Sequence, residues 1–339
     1  MSSTVAASLT ATTVATATHS HATALTESPY GYTPGLANTT AFLVVFSVLT
    51  LVHFLLAIKY KYYSAMFTMV TGGLLEILGW AGRLWSAKNV LAWNGFLMQI
   101  CCLIIGPVFF SAWDYMLLGE CIKRLGHQYS ILGPAWYMII FITADVVSLV
   151  LQAIGGGGAA VAAENYDDTT SSTRIMLAGI LFQLATSVIF VALAGDFMLR
   201  VMWEKPYPKH WTFMRGLTLR KPKNADAEKD ATTEVSVVDV DENAVPKDLT
   251  RSITGGRADP WLRRNQLLLI GVACATLMIF IRGIYRSIEL AQGWDGVIIT
   301  TEKYFIWLDG FPMVLCMAIL AVAHPGFLLP PRRWRNAKA

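Results

Sequence analysis

Residues 36–58 spell LANTTAFLVVFSVLTLVHFLLAI, a segment without Asp, Glu, Lys or Arg that ends against Lys59 and Lys61. An α-helix needs roughly 20 predominantly apolar residues to cross the hydrocarbon core of a bilayer. Apolar and polar residues do not alternate in this segment as they do in a barrel strand, and lipid offers no water to satisfy the amides of an irregular chain. The segment therefore predicts a membrane-spanning helix.

Six further apolar segments of similar length follow along the chain. With the first, they occupy residues 36–58, 65–86, 92–118, 135–155, 175–199, 265–286 and 303–323. The composition agrees, because 55% of the residues are hydrophobic and only 15% are charged, against about 25% charged in a soluble domain. We therefore predict an all-α membrane protein, a seven-transmembrane-helix bundle in the lipid bilayer. The four glycines at 155–158 are expected to end the fourth helix.

The Lys and Arg residues are distributed unequally between the two sides of such a bundle. If the chain starts outside the cytosol, the cytosolic side holds most of the basic residues near helix ends, and the opposite side holds only Lys88, Arg174 and Lys303. Basic residues accumulate on the cytosolic side of membrane proteins. The N-terminus is therefore predicted outside and the C-terminus in the cytosol. The net charge of +4 reflects this topology, and no nucleic-acid partner is expected.

Three segments are predicted to differ from the rest of the membrane domain, residues 30–330. Residues 1–29 are rich in Ser and Thr and predict a disordered extracellular tail, and residues 331–339 are a basic cytosolic tail. Residues 205–260 predict a mostly disordered cytosolic loop, whose basic ends are expected to contact anionic lipids of the inner leaflet. Asn38 begins an Asn-Thr-Thr sequon and is a candidate glycosylation site.

Ionisable side chains recur inside the predicted helices, where each costs about 2.5 to 3.5 kcal/mol on insertion and is by default a candidate functional residue. The predicted topology sorts them by depth. Glu76 and Asp145 lie near the midplane, and Asp114, Asp196 and His324 lie near the inner edge. The outer third or outer edge holds Arg83, Gln152, Arg282, Arg286, Glu289, Glu302 and Asp309. The candidate substrate-binding residues are Glu76, Arg83, Asp145, Gln152, Arg282, Arg286, Glu289 and Asp309.

Two interpretations of these candidates stay open. In the structural one, the outer arginines and carboxylates neutralise each other, and the midplane carboxyls hydrogen-bond neighbouring helices. In the functional one, Arg282 and Arg286 meet an anionic headgroup, while Glu76 and Asp145 hold the ammonium of an amphiphile or take up protons. No catalytic residue, metal site or cofactor is predicted. No Gly-Lys-Ser/Thr follows the glycines at 155–158, which excludes a phosphate-binding P-loop there.

Many of the polar residues stand in spaced motifs. These are Glu76-x-x-Gly79-x-x-x-Arg83, Pro107 with Ala112-x-x-Tyr115, Asp145 with Gln152, Arg282-x-x-Tyr285-Arg286-x-x-Glu289, then Glu302, Asp309 and His324-Pro325-Gly326. Together they cover about residues 30–330 and touch nearly every predicted helix. The pattern resembles the fungal RTA-like lipid-translocating exporter family, of the aminocholesterol-resistance and sphingoid-base-exporter type.

The resemblance implies a fungal seven-helix protein that exports or flips an amphiphile and contributes to lipid homeostasis or toxicant resistance. Sphingoid long-chain bases, sterol-like compounds and porphyrin-like compounds are the substrate classes of the family. The resemblance also implies a multi-pass protein of the plasma membrane or of internal membranes. It leaves open whether the protein moves lipid itself or regulates the asymmetry of the membrane.

Two other classes of membrane protein share a seven-helix layout. A G-protein-coupled receptor is expected to carry an arginine at the end of helix three, where this chain has Trp113-Asp114-Tyr115. A membrane zinc hydrolase needs several converging histidines, and the sequence has no His-x-x-x-His pair. A seven-helix receptor or regulator therefore stays the alternative to a transporter, and an enzyme is not predicted.

Overall fold

The computed structural model describes residues 30–165, 167–207, 260–293 and 296–329. In these residues seven helices are long and apolar enough to cross a membrane, which confirms the predicted fold class. They are α1 (Leu36–Tyr60), α2 (Tyr63–Lys88), α3 (Trp93–Leu125), α4 (Pro134–Glu164), α5 (Thr170–Met202), α6 (Pro260–Ala291) and α7 (Glu302–Leu328). Both predicted tails and most of the loop at 205–260 lie outside the described residues.

The seven helices pack in a closed ring, and α3 also contacts α6 across it. Helices that follow one another in the chain pack side by side, and α7 packs against both α6 and α1. α3 contacts α2, α4 and α6 and therefore lies towards the inside. On the outside, α1 exposes Val44, Val48, Leu51 and Leu55, a surface that suits lipid. The direction of crossing remains a prediction, and "outer end" below means the end at which α1, α3, α5 and α7 begin.

Most of the helices extend beyond their expected ends. α3 continues to Leu125 and stops at Gly126, whose φ of 120° is a conformation that other residues rarely adopt. The apolar core of a bilayer sets only the shortest helix that can cross it, so polar residues at the interface can continue a helix. Asn38 lies exposed in the first turn of α1, and its glycosylation stays a prediction.

The expected helix end at residues 155–158 is wrong, because these glycines lie within α4. A Cβ atom on Gly155 would lie 2.3 Å from the backbone nitrogen of Met176 in α5, whereas one on Gly157 would meet nothing within 4 Å. Small residues allow the backbones of two membrane helices to approach closely. Gly155 therefore allows α4 to pack closely against α5. It does not mark a flexible end of the helix.

Three local irregularities shape the helices near the polar residues. α2 and α7 each contain a π-helical turn, Met66–Val70 and Ile306–Gly310, and the second carries Asp309. α3 contains Pro107 in its interior. A π turn is often found at functional sites, and a proline removes the backbone hydrogen bond to the carbonyl four residues earlier. Here that carbonyl belongs to Leu103.

Candidate functional site

A first group of charged residues joins α6 to α7 near the outer end. Arg286 donates from Nε to Asp309 Oδ1 at 2.8 Å and from Nη1 to Glu289 Oε2 at 2.8 Å. Arg282 Nε lies 3.0 Å from the same oxygen of Asp309. Tyr285 donates to the other oxygen of Glu289 at 2.8 Å. Two cations thus share two carboxylates, and the group is balanced in charge.

Arg282 is also held by the break that Pro107 makes in α3. Its Nη2 donates to the backbone oxygen of Leu103, the carbonyl that would otherwise accept from residue 107. Proline has no N–H to offer, so this oxygen is free for a side chain. The proline motif of α3 and the arginine motif of α6 therefore meet at one hydrogen bond, which ties the central helix to the charged group.

Arg83 belongs to a second group, at the outer mouth between α2 and α7. Its Nη2 lies 3.0 Å from Glu302 Oε1 and 2.9 Å from the hydroxyl of Tyr32. Glu302 Oε1 also accepts the backbone N–H of Gly35 at 2.8 Å. Tyr30 donates to Gln99 Oε1 at 2.8 Å. The segment before α1 therefore lies across the outer end and covers Arg83, which is buried.

The two tyrosines of this segment remain neutral at physiological pH. Burial raises the pKa of Tyr30 to about 12, and a hydrogen bond with Ser86 and the charge of Arg83 oppose this only in part. Burial likewise raises the pKa of Tyr32. An unperturbed tyrosine titrates near pH 10, so both hydroxyls keep their protons and act as neutral partners of Arg83 and Gln99.

Phe305 lies between the two charged groups. Its ring centroid is 4.4 Å from the guanidinium carbon of Arg83 and 5.5 Å from that of Arg286. A cation within about 6 Å of an aromatic ring is attracted to its face. The groups are therefore neighbours, but among the described residues Arg83 pairs with Glu302, while Asp309 pairs with the arginines of α6.

The two midplane carboxyls have different surroundings and are not joined by any hydrogen bond in the described chain. Glu76 is buried, and its Oε1 faces Gly106 of α3 without a hydrogen-bond partner. Asp145 is buried on α4, where its Oδ2 accepts from the Tyr115 hydroxyl of α3 at 3.0 Å and its Oδ1 has no partner. Each thus contacts α3 and keeps one oxygen unsatisfied.

Gln152 takes part in a hydrogen-bonded contact between α4 and α5. Its Nε2 donates to Gln183 Oε1 at 3.0 Å and to Ser148 Oγ at 2.6 Å. Ser148 in turn donates to Gln183 at 3.2 Å. The three side chains satisfy one another across the seam next to Gly155, which places a neutral polar surface beside the two arginines of α6.

A cleft opens between α3, α4, α5 and α6, and we call it the outer cleft. It contains about 490 Å³ of empty space, part of it open to the surroundings. Its polar lining consists of Gln152, Gln183, Ser187, Arg282 and Arg286. Its remaining walls are mostly apolar, with Ile104, Pro107, Ile180, Leu184, Ile279 and Phe280. Such a cleft combines apolar walls with a few polar groups, which suits an amphiphile.

A smaller cavity lies next to the outer cleft, and we call it the inner chamber. Its empty space of about 230 Å³ includes narrow gaps between atoms and space open to the surroundings. Three residues, Ser187, Ile279 and Phe280, line both spaces. The other lining residues of the chamber are Ser111, Asp114, Tyr115, Phe190 and Thr276. The two cavities therefore follow one another between α3, α5 and α6.

The structure brings the predicted site residues together only in part. Gln152, Arg282 and Arg286 line the outer cleft. Glu289 and Asp309 stand behind the two arginines as their partners, whereas Arg83, Glu76 and Asp145 line neither cavity. Sequence analysis missed Gln183 and Thr276. Gln183 was visible as a polar residue in an apolar helix, but Thr276 carries no such signal, because a helical threonine commonly bonds its own backbone.

No group of three His, Cys, Asp or Glu side chains in the described residues is arranged as metal ligands. The polar residues of the two cavities instead offer hydrogen bonds and charge.

Comparison with known proteins connects this geometry to a family. A family model described as "RTA1 like protein" matches residues 69–332. The chain is 33% identical to the "Sphingoid long-chain base transporter RSB1" of Saccharomyces cerevisiae over 303 residues, which cover 89% of this chain and 74% of the yeast protein. It is 26% identical to "Protein RTA1" of the same yeast over 321 residues, 87% of this chain and 84% of that protein. No solved structure matches the chain.

Proposed function

Because the chain belongs to the RTA1-like protein family, we propose that it moves a lipid-like amphiphile across a fungal membrane, with a sphingoid long-chain base as the substrate. It is a multi-pass integral membrane protein, and lipid translocation or export agrees with its similarity to a yeast transporter of such bases. The base is a single-chain amine with hydroxyl groups on its head. We place this activity in the plasma membrane.

The outer cleft carries the proposal. An amphiphile that crosses a bilayer must take its polar head through hydrocarbon, and a protein lowers that cost by offering polar groups along an otherwise apolar path. The cleft has apolar walls from α3, α5 and α6, with Gln152 and Gln183 on one side and Arg282 and Arg286 on the other. The amides can bond the hydroxyls of the head, while the alkyl chain packs against the apolar walls.

The remaining candidate residues act through these groups in the proposal. Glu289 and Asp309 neutralise the two arginines and fix their orientation, so an incoming ammonium meets a balanced surface. Arg83 and Glu302 hold the segment before α1 over the outer end. Glu76 and Asp145 supply negative charge near the midplane for the ammonium. The basic ends of the loop at 205–260 contact anionic lipids of the inner leaflet.

The activity is tested by reconstituting the purified protein in liposomes and following fluorescent long-chain base, sterol and phospholipid between the leaflets. We expect the base to move faster than in empty liposomes. If none of the three lipids moves, direct translocation is refuted and the alternative, a regulator or receptor, takes its place. No step of this function requires a catalytic residue or a cofactor.

The midplane carboxyls are tested in the same assay with Glu76→Gln and Asp145→Asn. Each should abolish movement of the base while the amount of protein at the cell surface stays at the wild-type level. The matched control is Glu120→Gln, which removes a carboxylate from a partly exposed pair with Arg124 and should leave movement unchanged. Loss of surface abundance in the first two variants would instead support a purely structural role.

A further inference from the structure

The geometry points to the inner chamber as a binding site for a primary ammonium group, with Asp114 as its counter-ion. This inference rests on the proposed function and adds a second binding site, after the outer cleft, to the path of the substrate. Asp114 was placed near the inner edge by sequence but was not among the candidate site residues. Its side chain is 1% exposed and lines the chamber.

Asp114 has only half of its hydrogen-bonding capacity in use. Oδ2 accepts from the Thr276 hydroxyl of α6 at 2.9 Å, whereas Oδ1 is buried without a partner. None of the ion pairs recorded for the described residues includes Asp114. A buried carboxylate oxygen without a partner is costly, and a cation that binds it removes that cost.

The Ser187 and Thr276 hydroxyls of the chamber present acceptors and not free donors. The Ser187 hydroxyl donates to the backbone oxygen of Gln183 at 2.9 Å, and Thr276 donates to Asp114 or to the backbone oxygen of Val272, each at 2.9 Å. Each hydroxyl has a single proton, which is therefore engaged, while its lone pairs stay available. An ammonium group offers three donors and no acceptor, which is the complement of this lining.

The size of the chamber also favours a small cationic head. Inside its walls there is room for a group about the size of one water molecule, and an –NH3⁺ group is of that size. A phosphate is larger and brings acceptors only, so it would face Asp114 without a donor. The apolar walls formed by Phe190, Ile279 and Phe280 continue into the outer cleft and can hold the alkyl chain that follows the amine.

Asp145 adds to the negative field at this place. The Tyr115 ring lines the chamber, but its hydroxyl donates to Asp145 Oδ2 at 3.0 Å. The second carboxylate therefore stands behind Tyr115, one hydrogen bond away from the space. A cation in the chamber would be attracted directly by Asp114 and at longer range by Asp145.

The transport experiment uses two probes with the same fluorescent chain, a long-chain base and its N-acetyl derivative, which has no ammonium. Asp114→Asn keeps an acceptor for Thr276 and nearly the same volume but removes the charge. We expect it to slow movement of the base by about tenfold or more, the loss that follows removal of one charge-assisted hydrogen bond. Movement of the N-acetyl probe should stay near that of the wild type.

The control variant is Asp196→Asn, the same substitution at the inner end of α5. Asp196 pairs with Arg200 and is partly exposed, so neither probe should move more slowly. If Asp114→Asn moves the base at the wild-type rate, or slows both probes equally, the chamber is not an ammonium site. In that case movement of the base by the wild type would still support the proposed function.

A binding measurement on the wild type and on Asp114→Asn does not depend on transport. Dodecylamine and dodecan-1-ol are added to the protein in nanodiscs, and the thermal unfolding midpoint is followed. The amine should raise the midpoint more than the alcohol, because only the amine can pair with Asp114. Equal shifts would overturn the inference. A preference for the amine that is lost in Asp114→Asn would uphold it even if no lipid moved in liposomes, which separates this result from failure of the proposed function.

Discussion

Arg286 holds Asp309 through two hydrogen bonds, from Nε to Oδ1 at 2.8 Å and from Nη2 to Oδ2 at 3.4 Å. The pair joins α6 to the π-helical turn of α7, and Arg282 approaches the same carboxylate. Asp309 is thus the single anion that fixes both arginines of the outer cleft relative to α7.

Asp309→Asn should destabilise the bundle, because it leaves two buried guanidinium groups with one carboxylate between them. Removing one partner of a buried ion pair costs roughly 3 to 5 kcal/mol. The free energy of unfolding, from a denaturing-detergent titration, should fall by about that amount. Glu120→Gln breaks the partly exposed pair with Arg124 and should cost less than about 1 kcal/mol. Equal costs for both variants would contradict the importance of Asp309.

Gly155→Ala should force α4 and α5 apart. The added Cβ atom would lie 2.3 Å from the backbone nitrogen of Met176, and backbone cannot move aside as a flexible side chain can. Overpacking typically costs about 1 to 3 kcal/mol, and a lower thermal midpoint should reveal it. Gly157→Ala, two residues away with nothing within 4 Å of its Cβ, should not lower the midpoint. If the two substitutions behave alike, close approach at Gly155 is not what pairs these helices.

Ionisation of Tyr30 should occur at unusually high pH and release the segment before α1. An unfolded tyrosine loses its proton near pH 10, whereas the pKa of folded Tyr30 is about 12. Between these values the detached segment binds fewer protons than the docked one, so docking weakens as pH rises. Absorbance near 295 nm, as the difference between wild type and Tyr30→Phe, should show a midpoint near 12. A midpoint near 10 would mean that Tyr30 is not buried.

Ile279→Trp should obstruct the passage between the outer cleft and the inner chamber, since Ile279 lines both. Movement of long-chain base in liposomes should fall about tenfold or more, the effect of roughly 1.4 kcal/mol added to the barrier. Leu277→Trp is the matched control, because Leu277 lies on the same helix and is 51% exposed on the lipid-facing side. It should leave movement unchanged. Unimpaired movement in Ile279→Trp would exclude this route.

The helices could be predicted from sequence because the thickness of the bilayer imposes a minimum apolar length on every crossing. Their rotation about their own axes could not, and rotation decides which polar residues meet. The sequence places Arg83 and Asp309 at the same outer depth, which would allow them to pair. In the structure Arg83 pairs with Glu302, and Asp309 pairs with the two arginines of α6. To predict the hydrogen bond between Arg282 and the Leu103 carbonyl, one must know that Pro107 leaves this carbonyl free and that α3 packs against α6. The sequence shows the first but not the second. The glycines at 155–158 were wrongly predicted to end α4. Glycine is favoured both at a flexible helix end and where two helices pack closely, so the residue type alone does not distinguish the two.

Phe305 links the two charged groups at the outer end of the bundle. One ring contacts the guanidinium groups of both Arg83 and Arg286, and the π-helical turn that carries Asp309 begins at the next residue. Turning α7 by one residue rotates it by about 100°, which would take the ring from both cations and the carboxylate from its arginines in one movement. The covering segment and the wall of the cleft would then lose their contacts with α7 together, so Phe305 couples these two parts of the outer end.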